Sequence, residues 1–99
     1  MGDVVSVKTK DDLGKLVEGN WASVGDDVEP MMVGNFGRGN CFYEPYGKDS
    51  IMCLPFSYIG FDNDEIVIGE DGFGLEKNSK EYLWAKHLLS NNTNRRQVA

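Results

Sequence analysis

The chain has 99 residues, 40% of them apolar, and a formal net charge of −6 with a pI near 4.6. One domain of ordinary size fits this length. The acidic balance disfavours a generic phosphate-backbone binder, which needs a basic face, and 26% charged residues with eleven aromatics do not describe a disordered chain.

Val4, Val5 and Val7 make a β-branched first strand within Asp3 to Lys8. Thr9 follows as a helix N-cap whose hydroxyl can accept the Asp12 amide, and Asp11 and Asp12 suit the positive end of the helix dipole. Leu13, Leu16 and Val17 then share one face of a short helix. Gly14 weakens that helix by about 1 kcal/mol relative to Ala, and Gly19-Asn20 ends it, with Trp21 packing back beneath. Met31 to Phe36 and Cys41 to Glu44 read as a hairpin around the turn Gly37-Arg38-Gly39-Asn40. Ile51 to Leu54 is a strand stopped or moved to an edge by Pro55, and Phe56 to Phe61 continues after the bend. Past the turn Asp62-Asn63-Asp64, Glu65 to Gly69 alternates as a further strand, and Glu70 to Asn78 reads as loop. Ser79 opens the last helix. Tyr82, Trp84, Ala85, Leu88 and Leu89 form its apolar face, and Leu83 points away among Lys80, Lys86 and His87.

The predicted fold is α+β: a small, mainly antiparallel sheet of about five strands with a short N-terminal helix and a C-terminal helix. Residues 1–90 make the single domain and 91–99 a polar, disordered tail. No basic stretch followed by an apolar run marks a secretory leader, and no run reaches membrane-span length. The expected location is therefore cytoplasmic, with Cys41 and Cys53 as free thiols.

Charge is divided along the chain. Residues 1–76 hold fifteen of the sixteen acids against five bases, a balance of −10. Residues 77–99 hold five bases against Glu81, a balance of +4. A fold does not need this separation, but a partner would feel it. Asp26, Asp27 and Glu29 share one loop, and Asp62, Asp64, Glu65, Glu70 and Asp71 flank one strand. No base occurs between Lys48 and Lys77. Acids at the two ends of that strand would stand roughly 20–25 Å apart, able to meet Arg and Lys on a partner. Against this stands the ordinary reading that Asp favours turns and keeps a small protein soluble.

Other chemistries have less support. Asp62-Asn63-Asp64-Glu65 resembles the opening of a calcium loop, but Ile66 and Val67 stand where an oxygen ligand and a glycine are needed. One His and two Cys separated by eleven residues do not make a zinc site, so no metal and no cofactor are expected. Gly34, Gly37 and Gly39 lack the Lys-Ser or Lys-Thr of a phosphate loop. No nucleophile elbow and no paired buried carboxylates suggest an enzyme. These readings leave a small acidic cytosolic binding protein that inhibits or modulates a partner with a basic, nucleic-acid-binding surface. In size and charge it is comparable to phage-encoded anti-restriction and anti-CRISPR inhibitors and to immunity proteins, an analogy without sequence resemblance. The alternative is a small ligand- or nucleic-acid-binding module on the aromatic hairpin 36–46, with Arg38, Tyr43 and Tyr46 exposed for stacking. A homodimer through the C-terminal helix is a further expectation.

Overall fold

The computed structural model describes residues 4–24, 29–63 and 65–98, with 92–98 described by backbone alone. Asp26, Asp27 and Asp64 lie outside the described residues, and the predicted tail 91–99 falls almost wholly on the stretch known by backbone only. In chain order the elements are β1 (Val4–Ser6), α1 (Lys10–Gly14), β2 (Trp21–Ser23), β3 (Met31–Asn35), β4 (Asn40–Tyr46), β5 (Ser50–Pro55), β6 (Ile59–Asp62), β7 (Glu65–Ile68), β8 (Phe73–Gly74) and α2 (Lys80–Val98). A 3-10 turn, Phe56–Tyr58, joins β5 to β6.

Among the described residues, six strands form one sheet in the order β1-β2-β3-β4-β5-β8, and β6 pairs with β7 alone. All pairings are antiparallel except β1 with β2, where Val4 faces Trp21. The expectation of about five strands missed two elements of this sheet. Trp21–Ser23 is a strand parallel to β1, and Phe73–Gly74, read as loop, adds a strand beside β5. Three and two residues are too short to show an alternating period.

The predicted N-terminal helix is reduced to the single turn of α1. Its start is as expected: the Asp12 amide donates to the Thr9 hydroxyl, while the Lys8 and Thr9 amides donate to the Asp12 carboxylate. The Lys8 amide, the largest influence, holds the Asp12 carboxyl below its ordinary value. Helix ends at Gly14, so Leu16 reaches the core from the following loop and Val17 stays exposed.

Strand alternation divides the core in two. On one face Trp21, Met32, Cys41, Tyr43, Ile51 and Cys53 pack against Tyr82, Ala85 and Leu89 of α2. On the other, Ala22, Met31, Val33, Phe42 and Leu54 pack with Val7, Leu16 and Ile59, joined by Leu13, Phe61 and Ile66. A long helix therefore covers one face, and α1 with the β6–β7 hairpin covers the other. The predicted apolar face of α2 docks as expected, and its first turn is capped where Tyr82 donates its amide to Ser79 Oγ at 3.1 Å.

Helix and sheet approach most closely at Gly34. A Cβ there would lie 2.7 Å from Trp84 Cη2, 3.0 Å from Leu88 Cδ2 and 3.1 Å from Tyr43 Cε2. Real Cβ atoms essentially never lie within 3.0 Å of another heavy atom, so any side chain here must displace the Trp84 ring and press on Leu88 and Tyr43. Gly34→Ala should cost about 1–3 kcal/mol, the usual penalty for overpacking a core. A lowered midpoint in urea unfolding, with near-ultraviolet circular dichroism reporting a disturbed Trp84, is the expected result.

Candidate functional site

Asp62 and Glu65 lie on the β6–β7 hairpin, and Glu70 and Asp71 on the strand-free segment after it. Cross-strand pairing sets their direction. Ile59 faces Ile68 and Phe61 faces Ile66, while Gly60 faces Val67 and Asp62 faces Glu65. Facing residues share a side, and sides alternate along the ladder. The first set turns Ile59, Phe61 and Ile66 toward the core, so the second turns Asp62, Glu65 and Val67 outward. Val67 is 44% exposed between those acids. Asn63 closes the hairpin at φ 53°, a left-handed conformation that Asn adopts more readily than most residues. Glu70 and Asp71 follow as exposed residues, and Glu29 is exposed just before β3. Since β7 has only four residues, Glu65 and Glu70 are separated by at most ~17 Å at about 3.3 Å per residue.

The aromatic hairpin is arranged differently from its prediction. Tyr43, expected at the surface, is fully buried and faces α2. Its ring meets Trp84 edge-on, with centroids 5.6 Å apart. Phe36 packs on the other side of Trp84 at 5.2 Å. Tyr46 remains 64% exposed. A buried Tyr43 cannot stack on a base, which removes the central residue of the alternative site.

Tyr43 and Arg38 instead converge on Glu81, a buried carboxylate in the first turn of α2. Tyr43 donates its hydroxyl to Glu81 Oε2 at 2.7 Å. Arg38 donates Nε to the same oxygen at 3.1 Å and Nη2 to Oε1 at 2.6 Å, a two-pronged ion pair. The guanidinium also lies over the Phe73 ring, 5.2 Å from its centroid. Arg38 thus ties the β3–β4 turn to α2 and β8 while its side chain stays 47% exposed. Burial, and then the bond to Glu81, pushes the Tyr43 phenol well above its ordinary value. The bond to Glu81 raises Arg38 in turn, so it is charged at any physiological pH. The expected role of Glu81 was a first-turn acid. Its spacing, three residues before Trp84 and four before Ala85, places it on the apolar face.

Cys41 and Cys53 are free and buried beside this cluster. Both lie on the α2 side of the sheet, Cys53 directly across from Tyr43 and Cys41 across from Pro55. Cys41 Sγ donates to the Gly39 carbonyl at 3.6 Å. A hydrogen bond to Cys41, with burial, pushes the Cys53 thiol far above its ordinary value. The same bond holds the Cys41 thiol below its ordinary value, and both side chains pack as small buried core groups. Among the described residues, no three His, Cys, Asp or Glu side chains gather as a metal-ligand group. No described helix is long and apolar enough to cross a membrane. His87 Nε2 lies 3.1 Å from Asn91 Nδ2 on the exposed side of α2.

A hollow of about 350 Å³ lies between β1, β2 and β7, lined by Ser6, Lys8, Thr9 and Glu65 among others. A second, of about 190 Å³, lies under the C-terminal end of β7. No protein-family model, curated protein or solved structure matches the chain.

The Glu81 cluster is testable by truncation. Glu81→Ala strands the buried Tyr43 hydroxyl and should cost about 1–3 kcal/mol. Arg38→Ala removes the counter-charge and two of the three hydrogen bonds of the buried Glu81 carboxylate and should cost about 2–3 kcal/mol, less than breaking a fully buried pair because the guanidinium is half exposed. Urea denaturation of both variants and of the pair measures this. Clearly non-additive losses are expected, since the two changes act on one network.

Proposed function

We propose that this chain is a small acidic binding protein that acts by occupying the basic, nucleic-acid-binding surface of another protein. Inhibitors of the anti-restriction, anti-CRISPR and immunity types, many of them phage-encoded, work in this general way. The supporting observation is the outer face of the β6–β7 hairpin. It holds Asp62 and Glu65 around the exposed Val67, with Glu70 and Asp71 next in the chain. Carboxylates on a paired strand keep their spacing better than carboxylates on a loose loop. An apolar residue at their centre adds contact area that a purely solubilising surface does not need. No base occurs in the sequence between Lys48 and Lys77, Lys8 is the base nearest Glu65 through the Thr9–Glu65 bridge, and Arg38 is engaged with Glu81 on the helix side. Its remaining field steers an approaching cationic surface.

The test is capture of partners from a nuclease-treated lysate of the organism that carries the chain. A captured protein should be basic, should bind DNA or RNA alone, and should lose that binding when this chain is added. The triple variant Asp62→Lys, Glu65→Lys, Glu70→Lys should keep its fold and bind the captured protein at least about tenfold more weakly. Binding by wild type should also fall as salt rises. Equal capture by the triple variant, or a partner whose nucleic-acid binding is unaffected, would remove this reading.

Self-association through the outer face of α2 is a separate proposal. Leu83 is 52% exposed there, with Lys80, Lys86 and His87 also exposed. Sedimentation should show a dimer for wild type and a monomer for Leu83→Glu. A monomer in both cases leaves this helix face without a role in assembly.

A further inference from the structure

The β6–β7 hairpin does not cover the whole of its sheet face. Ile59, Phe61 and Ile66 are packed against the core, but Ile68, on the same side of the hairpin, overhangs it and is 47% exposed. The groove beneath holds about 190 Å³. Its buried floor includes Phe42 and Leu54, which face each other across β4 and β5. Two residues further along the same ladder and on the same side, the next facing pair is Glu44 and Met52. Asp71 closes the rim as the chain turns toward β8. The groove therefore runs from an apolar floor toward Glu44 and Asp71 at its edge.

We propose that this groove receives one arginine side chain from the basic partner. The proposal rests on the reading of the chain as a binder of a basic protein and adds the contact that anchors it. Small-molecule sites usually hold about 300–1,000 Å³, so this volume suits one long side chain better than a free ligand. Arginine matches the gradient. Its aliphatic stem can lie over Leu54 and along the Met52 thioether while its charged end stays at the mouth. The guanidinium is planar and weakly hydrated, so it loses less than an ammonium on entering a partly apolar slot. At the mouth it meets the exposed carboxylate of Asp71. Such an anchor, an arginine in a pocket beside a charged rim, is typical of the few residues that dominate an interface.

The experiment is a nuclear magnetic resonance titration of isotopically labelled protein with three blocked tetrapeptides, identical except for one arginine, citrulline or lysine. The arginine peptide should shift the amides of Met52, Leu54, Ile68 and Gly72 saturably. Citrulline keeps the shape without the charge, and lysine keeps the charge without the plane. Each should bind at least about fivefold more weakly. Asp71→Asn, at an exposed position that cannot unfold the protein, should weaken the arginine peptide by about threefold or more. Met52→Lys places a cation of this chain's own in the mouth and should block the groove; its thermal unfolding confirms that it is folded. The pair Asp62→Lys, Glu65→Lys, on the other side of the hairpin, should leave binding within about twofold.

Equal binding of arginine and citrulline peptides would overturn the proposal. So would shifts spread over every exposed acid, or no saturable shift in the groove. If the groove fails this way while the captured basic protein is still released by charge reversal on the hairpin, the basic-partner reading stands without it. If no basic partner is captured but the arginine peptide saturates the groove, the partner reading falls and the arginine site remains.

Discussion

A carboxylate held beneath a helix must find donors, and the donors Glu81 finds organise one side of this protein. Its three hydrogen bonds come from Tyr43 on β4 and from Arg38 in the β3–β4 turn. Leaving such a group unpaired would cost several kcal/mol, so the pairing constrains everything around it. The Tyr43 ring must stand upright between sheet and helix, where it meets Trp84. The turn must carry Arg38 back over Phe73. Gly34 must have no side chain, because the helix then lies too close to the sheet to admit one. Tyr82 secures the same helix from its other side by donating its hydroxyl to the Asp49 carbonyl at 2.8 Å.

The opposite face of the sheet is covered by smaller pieces. One helical turn and a two-stranded hairpin do there what a helix of several turns does on the first face. A hairpin alone is marginally stable, so its inward residues Ile59, Phe61 and Ile66 must anchor it. Its outward residues are then released from core duties. That division lets Asp62 and Glu65 stand in solvent on an ordered strand, and it leaves Ile68 over a groove floored by Phe42 and Leu54. Incomplete coverage is thus the physical origin of both surfaces at which binding is proposed.

Much of the local structure was legible. Thr9 and Ser79 cap because their hydroxyls face amides three residues on. The turn around Gly37 and Gly39 and the stop at Pro55 follow from backbone chemistry that no tertiary contact overrides. Tyr82, Ala85 and Leu89 were readable as core because a helix repeats every 3.6 residues. The N-terminal helix was read too long. Leu13, Leu16 and Val17 have helical spacing, but after Gly14 the chain gains more by sending Leu16 into the core from a loop. Of the candidate site, the acidic segment could be located, but not the side to which each acid turns. That depends on the pairing of Asp62 with Glu65.

By itself the sequence determined where the longer strands, the turns and the caps lie, which helix face is apolar, and how charge is divided along the chain. These are properties of neighbours within a few residues, governed by dihedral preference and periodicity. Tertiary structure alone decided that Trp21–Ser23 pairs in parallel with β1, that Tyr43 is buried, and that Arg38 answers Glu81. Those contacts join residues 17, 38 and 43 positions apart. Whether a polar group is buried or exposed belongs to the pair it forms, and no window of local sequence contains both members.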